Sequence, residues 1–393
     1  MTTLQRARYA TMAMFFLFGA SYATWGLHVP TIKEKFHLSP GWLSLALFSI
    51  AGGSIATLTW IGPWANRVGT RIACLTGGVL IAACVMLIMV VPYYPLLILL
   101  LTLFGAGNAL LDVAINAEGS ALEAAMQRPI MSSLHGMFSV GGMAGAALGG
   151  ELLAHGMSAS MHMLLAGMVL LLVTGLAARG LIPSAPGAAE QGAHTAAPRQ
   201  APRGSRARRW LWTLGTVALV ALIAEGAMYD WSAVYLREII HADPALTGLA
   251  YATFSGGMAL GRFSGDILRA RLGSGRLIRI SGLAAAAGIA AALLIREPLV
   301  VLCGFGVMGL GLANMIPLLF AAAAVVDGVP PAVGIAHVAG TAYVGLLLGP
   351  VLIGLAAQWY GLPPALLLVA LCALLVGVCA PRLLRSLPSP KAA

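Results

Sequence analysis

The sequence predicts an all-α polytopic membrane protein, with twelve transmembrane helices in two pseudo-symmetric six-helix bundles. Three observations carry that prediction. Only 9% of the 393 residues are charged and mean hydropathy is +0.91, whereas a soluble globular chain carries roughly 25% charged residues. Apolar runs of about 20 residues recur along the whole length, each able to cross a hydrocarbon core roughly 30 Å thick. The first half also matches the second in a single register: His37 and His241 lie 204 positions apart, and the same shift pairs many glycines.

The runs fall at 8–29, 42–62, 71–91, 96–118, 132–155 and 161–182, then at 211–235, 247–267, 276–295, 299–322, 332–357 and 364–380. They are continuously apolar, whereas a barrel strand alternates over about ten residues, so helices are expected. Span one carries Tyr22, Thr24, Trp25 and His28, and span two runs into Gly62. Span four is LLILLLTLFGAGNALLDVAINAEG with its polar stripe, and span five is rich in glycine. Span seven contains AEGAMYDW, span ten Asn314 followed by Pro317, and span eleven His337 and Thr341. Between spans six and seven, PSAPGAAEQGAHTAAPRQAPRGSRARR has no apolar periodicity. This Pro-, Ala-, Gly- and Arg-rich stretch reads as a flexible cytoplasmic linker over 183–210, with His194 a solvated residue. It divides a bundle at 1–182 from a bundle at 211–393.

The constant register joins Gly52-Gly53 to Gly256-Gly257, Gly69 to Gly273, Gly107 to Gly311 and Gly141 to Gly345. One register held over five spans implies a duplicated half. The basic charge is placed asymmetrically. All but four of the 23 Lys and Arg fall on the side of the N-terminus, the even-numbered loops and the C-terminus; the exceptions are Lys33, Lys35, Arg237 and Arg296. By the positive-inside rule both termini are cytoplasmic in an inner (plasma) membrane, and the net charge of +10 is topology rather than a nucleic-acid footprint. Arg6 and Arg8 precede a first run too long for a signal-peptide core. The five cysteines lie within spans and form no Cys-x-x-Cys pair, so they read as small buried residues. No metal spacing, nucleophile motif or nucleotide loop occurs. An enzyme is not expected, and neither is a cofactor or metal.

Polar groups inside the apolar runs mark function, because a carboxylate at mid-bilayer costs about 2.5–3.5 kcal/mol on insertion scales. Asn108, Asp112 and Asn116 are spaced by four and so share one helix face. The stripe reads either as the wall of a wet cavity or as a polar clamp to a neighbouring helix. His135, at similar depth on the next span, could exchange a proton with Asp112 or simply bond backbone. Glu225 lies near mid-membrane in span seven, with Asp230 more than a turn further along. GASYATW, around Tyr22 and Trp25, is similar to GAMYDW, around Tyr229 and Trp231. Tyr and Trp offer a flat apolar face with a polar handle, which suits a sugar-like or aromatic solute. Asn314 before Pro317 predicts an irregular, cavity-facing stretch.

Two six-helix halves of this kind resemble the major facilitator superfamily. The loop GPWANRVGTR is similar to that family's signature, Gly-x-x-x-Asp-Arg-x-Gly-Arg-Arg, matching it at Gly62, Arg67, Gly69 and Arg71. Asn66 replaces the acidic residue, and the corresponding second-half loop keeps a carboxylate, Asp266, near Arg271. LDVAIN and PIMSSLHGMFSVGG resemble bacterial YbjJ-type, fucose-permease-like inner-membrane members. The resemblance implies a monomeric secondary transporter whose halves rock about a central site lined by spans one, four, seven and ten. These loops would latch the cytoplasmic ends, with Asn66 bringing no charge. In such relatives a span-four carboxylate takes part in proton coupling, which implies that role for Asp112, with His135 or Glu225. The expected partners are a small polar solute, protons and the bilayer. The alternative is a proton-antiport exporter of amphipathic compounds, suggested by the antiporter-like pattern from Gly141 to Gly150, where Ala146 replaces a proline.

Overall fold

The computed structural model describes residues 2–128, 130–182 and 205–386. Most of the predicted linker, with His194, therefore lies outside the described residues. The first-half helices are α1 (Thr3–Lys35), α2 (Pro40–Leu58), α3 (Ile61–Val68), α4 (Thr70–Ile88), α5 (Tyr94–Met126), α6 (Met131–Ala154) and α7 (Ala159–Ala178). The second-half helices are α8 (Ser205–Glu238), α9 (Pro244–Leu272), α10 (Ser274–Ile295), α11 (Pro298–Leu312), α12 (Met315–Ala323), α13 (Pro331–Tyr360) and α14 (Leu362–Ser386). With α3 a connector and α11–α12 one broken crossing, they give the twelve predicted spans. Among the described residues, eleven candidate spans are long and apolar enough to cross a bilayer. The twelfth, α9, is diluted by Thr247, Thr253, Ser255 and Arg262.

Local chemistry sets the starts. Thr2 and Gln5 form a capping box on α1, Ser39 caps α2 ahead of Pro40, and Ser158 caps α7. Several elements outrun their predicted bounds. α1 extends to Lys35 and α5 to Met126, and α8 begins at Ser205, so 205–210 is helix rather than linker. Span two breaks at residues 59–60, and the signature loop is itself the short helix α3. Hydropathy could not show this, because a helix emerging from the bilayer becomes polar before it ends.

Packing divides the chain into two units. The first takes the described residues of Met1–Ala193 with Tyr229–Gly256, and the second those of His194–Met228 with Gly257–Ala393. The far ends of α8 and the first half of α9 thus pack with the first six crossings. In the first unit a Cβ on Gly53 would overlap the Thr102 carbonyl, and Gly107 lies against Gly77 and Ile81. In the second unit Gly257 meets the Gly306 carbonyl, and Gly311 meets Ser281 and Ala285. Each of these second-unit contacts is the first-unit contact moved by 204 positions. These four repeated glycines are places where helix backbones come close, and small residues at such contacts let membrane helices approach.

The turns repeat as well. Gly69 (φ 84°, ψ 157°) and Gly273 (φ 74°, ψ 154°) hold the same left-handed conformation, which a side chain would strain. His37 and His241 also adopt positive φ, at 51° and 57°. Gly53→Val and Gly257→Val should each cost about 1–3 kcal/mol by overpacking. Gly52→Val, in open space, should be neutral. Thermal unfolding of the purified protein measures all three. Loss in one half only would break the equivalence of the two contacts.

Candidate functional site

Three acids sit on the second half of α5, and they are used differently. Glu118, only 1% exposed, accepts from the Thr70 hydroxyl at 2.6 Å and from the Ile182 amide at 2.7 Å. It joins the start of α4 to the segment after α7. Glu123 accepts from the amides of Ile130 and Met131 at 2.7 and 3.0 Å and so closes the start of α6. Both are structural. Asp112 instead receives only Asn116, whose amide nitrogen donates to its Oδ1 at 2.9 Å and to its backbone carbonyl at 2.8 Å. Asn116 therefore orients the carboxylate from one turn away on the same helix. Asp112 is half-buried, and among the described residues no hydrogen bond or ion pair clamps it to a neighbouring helix.

One turn back, Asn108 is 2% exposed, and neither its amide oxygen nor its nitrogen has a hydrogen-bond partner among the described residues. Another turn back, Phe104 lies 6.3 Å from Tyr22 and 6.2 Å from Trp25, centroid to centroid. The stripe from Phe104 to Asn116 thus looks onto α1. Tyr22 is close enough to feel the charges of both Asp112 and Asp230. Trp25 donates its indole N–H to Asp230 Oδ1 at 2.9 Å. Phe138 of α6 packs on Tyr22 at 6.0 Å and on Tyr229 at 6.5 Å. Tyr229 also contacts Tyr251 and Phe254 of α9 at 5.4 and 5.3 Å. Tyr22, Trp25, Asn108, Asp112, Asn116, Tyr229 and Asp230 therefore lie together within the first unit. Among the described residues neither Asp112 nor Asp230 has an ion-pair partner.

The remaining candidates have other contacts. His135 packs edge-on against Phe15 of α1, with ring centroids 5.2 Å apart. Glu225, in the second unit, accepts from Arg262 of α9 at 3.2 Å, with side-chain exposures of 9% and 16%. Sequence reasoning counted Arg262 among the topology-setting cations, and the structure shows a largely buried ion pair instead. Asn314 is at the break between α11 and α12, with its side chain over Gly265. The break confirms the irregular stretch. Gly62, Asn66 and Arg67 lie in the connector α3, but Arg71 is in the first turn of α4, and Asp266 and Arg271 are in the last turns of α9 rather than in a loop. The Arg67, Arg71, Asp266 and Arg271 side chains are exposed, while Gly62 and Asn66 are half-buried, with Asn66 Oδ1 lacking a partner among the described residues.

Sequence reasoning missed a further set at the far ends of α1 and α8. Lys33 Nζ meets Glu238 at 2.5 Å, and Arg237 Nε meets Glu34 at 3.5 Å. The signal was present, since Lys33-Glu34 and Arg237-Glu238 are the same basic–acidic dipeptide 204 positions apart. Another missed pair is His28 and His162, whose ring nitrogens are 2.8 Å apart in the buried contact of α1 with α7.

The two kinds of carboxylate can be separated experimentally. Glu118→Ala should cost about 1–3 kcal/mol by removing the acceptor of the Thr70 hydroxyl and the Ile182 amide. The protein that remains folded should function at the native rate. Melting and solute uptake normalised to folded protein check both halves of that statement.

The family profile described as Major Facilitator Superfamily matches residues 10–331. An uncharacterised MFS-type transporter of Yersinia pestis is 32% identical over 371 residues, covering 94% of both chains. The membrane protein MosC of Rhizobium meliloti is 30% identical over 360 residues, covering 92% of this chain and 86% of its own. Among solved structures, the nucleoside transporter NupG superposes with a TM-score of 0.70 at 14% identity, over 99% of this chain and all of that one. That likeness concerns the fold.

Proposed function

The chain belongs to the major facilitator superfamily, and on that premise we propose a proton-coupled secondary transporter that moves a small polar solute across the bacterial inner membrane by alternating access. The observation that supports this reading most is the contrast along α5. Two of its acids are spent on structure, while Asp112 stays partly accessible and, among the described residues, without an ion-pair partner. An ionised carboxylate is favoured by water and disfavoured by its exclusion. Closing the site around Asp112 therefore favours its protonated form, and reopening to the other side lets the proton leave.

The moving bodies are the two six-helix halves, 1–182 and 211–393, joined by the cytoplasmic linker, with both termini cytoplasmic. Access from the far side then requires Tyr229–Gly256 to part from α1 and α6. That opening breaks the Lys33–Glu238 and Arg237–Glu34 pairs and the Trp25–Asp230 bond. The connector α3 with Asn66 and Arg67, the start of α4 with Arg71 and the end of α9 with Asp266 and Arg271 serve the cytoplasmic ends. The glycines from Gly141 to Gly150 pack against Phe16, Ala20 and Gly248. Helix packing accounts for them, so they lend the exporter reading no separate support.

Uptake of a metabolite panel into proteoliposomes under an imposed pH gradient tests the proposal. At least one polar solute should accumulate, and a protonophore should abolish the accumulation. Accumulation indifferent to the protonophore would overturn the coupling, and a panel in which nothing is carried would overturn the transport reading.

A further inference from the structure

We propose that the solute is a small hydroxylated amine, carried as its ammonium form and seated on Asp230, an inference that rests on the transport reading above. Two carboxylates, Asp112 and Asp230, act on one phenol, Tyr22, and both remain half-buried rather than sealed. No lysine, arginine or histidine among the described residues pairs with either. An anionic solute would be repelled here, and a neutral one would leave the charge of Asp230 uncompensated when water is excluded. An ammonium group supplies the missing charge, and the faces of aromatic rings attract it further. Asp230 is the better seat because the rings gather there. Trp25 fixes its Oδ1 at 2.9 Å, leaving the second oxygen to accept, with Tyr229 adjacent in sequence and Tyr22 in electrostatic reach.

The hydroxyl requirement comes from Asn108. Its side chain is almost wholly removed from solvent, with donor and acceptor both unmet, on the stripe between Phe104 and Asp112 that looks onto Tyr22 and Trp25. A hydroxyl group both donates and accepts, so a single such group on the solute meets both needs. Loaded with an ammonium on Asp230 and a proton on Asp112, the site is neutral. Neutrality is what permits closure in a low-dielectric bundle.

Glucosamine, N-acetylglucosamine and glucose share a ring and differ at the group in question, so they serve as probes of the purified full-length protein. Glucosamine should bind at least about tenfold more tightly than either neutral sugar, as expected for a charge-assisted bond added to a common ring. Asp230→Asn should remove the preference and Asp230→Glu should retain part of it, which guards against a merely unfolded variant. Raising the pH until the amine is neutral should erase the preference in the native protein. Equal binding of the three sugars, no binding of glucosamine, or a preference that survives Asp230→Asn would overturn the inference. The two proposals fail separately. If the solutes accumulated in the panel are neutral or anionic, the amine falls and transport stands; if nothing accumulates, transport itself falls.

Discussion

In Asp112→Asn, proton-driven accumulation of solute should collapse to simple equilibration while counterflow across the membrane persists. A potential of 100 mV is worth about 2.3 kcal/mol per charge moved, which corresponds to roughly 50-fold accumulation for one coupled proton. Asparagine keeps the size of the side chain but holds no exchangeable proton at this point, so the driving force has nothing to act through. Counterflow needs only binding and reorientation, which the substitution leaves in place. Paired measurements in proteoliposomes, one with a gradient and one with solute on both sides, resolve the two functions. If accumulation survives the substitution, Asp112 does not carry the coupling proton. The same variant is informative for Asn116, which donates to that carboxylate at 2.9 Å and so sets its direction.

The second large effect concerns stability. Arg262→Met takes the guanidinium away from Glu225, a carboxylate only 9% exposed, and removing one partner of a buried pair costs about 3–5 kcal/mol. Glu225→Gln in the same chain should restore most of the loss, because the buried charge is then gone. Thermal or denaturant unfolding in detergent reads both variants. A double variant no more stable than the single one would show that the carboxylate's charge is not what makes the loss. The prediction also separates Glu225 from Asp112. Glu225 is held by a guanidinium, whereas among the described residues Asp112 has no ion-pair partner.

The duplication was legible because it is written in glycine. Gly53 and Gly257, or Gly107 and Gly311, stand where two backbones meet and a side chain is crowded, so the repeat survives where side-chain identity has drifted. The stripe of Asn108, Asp112 and Asn116 was legible for a related reason: polar groups in an apolar run need a wet or bonded side, and their spacing names it. Spacing could not say which acids were already spent. Glu118 finds Thr70 and Ile182, which are 48 and 64 residues away, and no periodicity links them. The partner of Arg262 was not legible, because charge counting sorts cations by the nearest loop, whereas Glu225 lies inside the preceding crossing. The break at Asn314 was legible from the proline that follows it, since Pro317 removes a backbone donor. The extent of α1 and α5 was not, because their last turns are too polar to count as membrane-spanning yet remain helical.

The crossed ion pairs at the far ends of α1 and α8 bear on how the chain arose. Lys33 and Arg237 are equivalent positions, as are Glu34 and Glu238, and each base meets the other copy's acid. A contact of this kind is isologous: one patch recognises its own duplicate, as in a two-fold homodimer. A half-length ancestor with a single Lys-Glu or Arg-Glu step would have completed both bonds by pairing with itself. Fusing two such genes then required no newly evolved complementarity at this end of the molecule, because self-recognition had already supplied it.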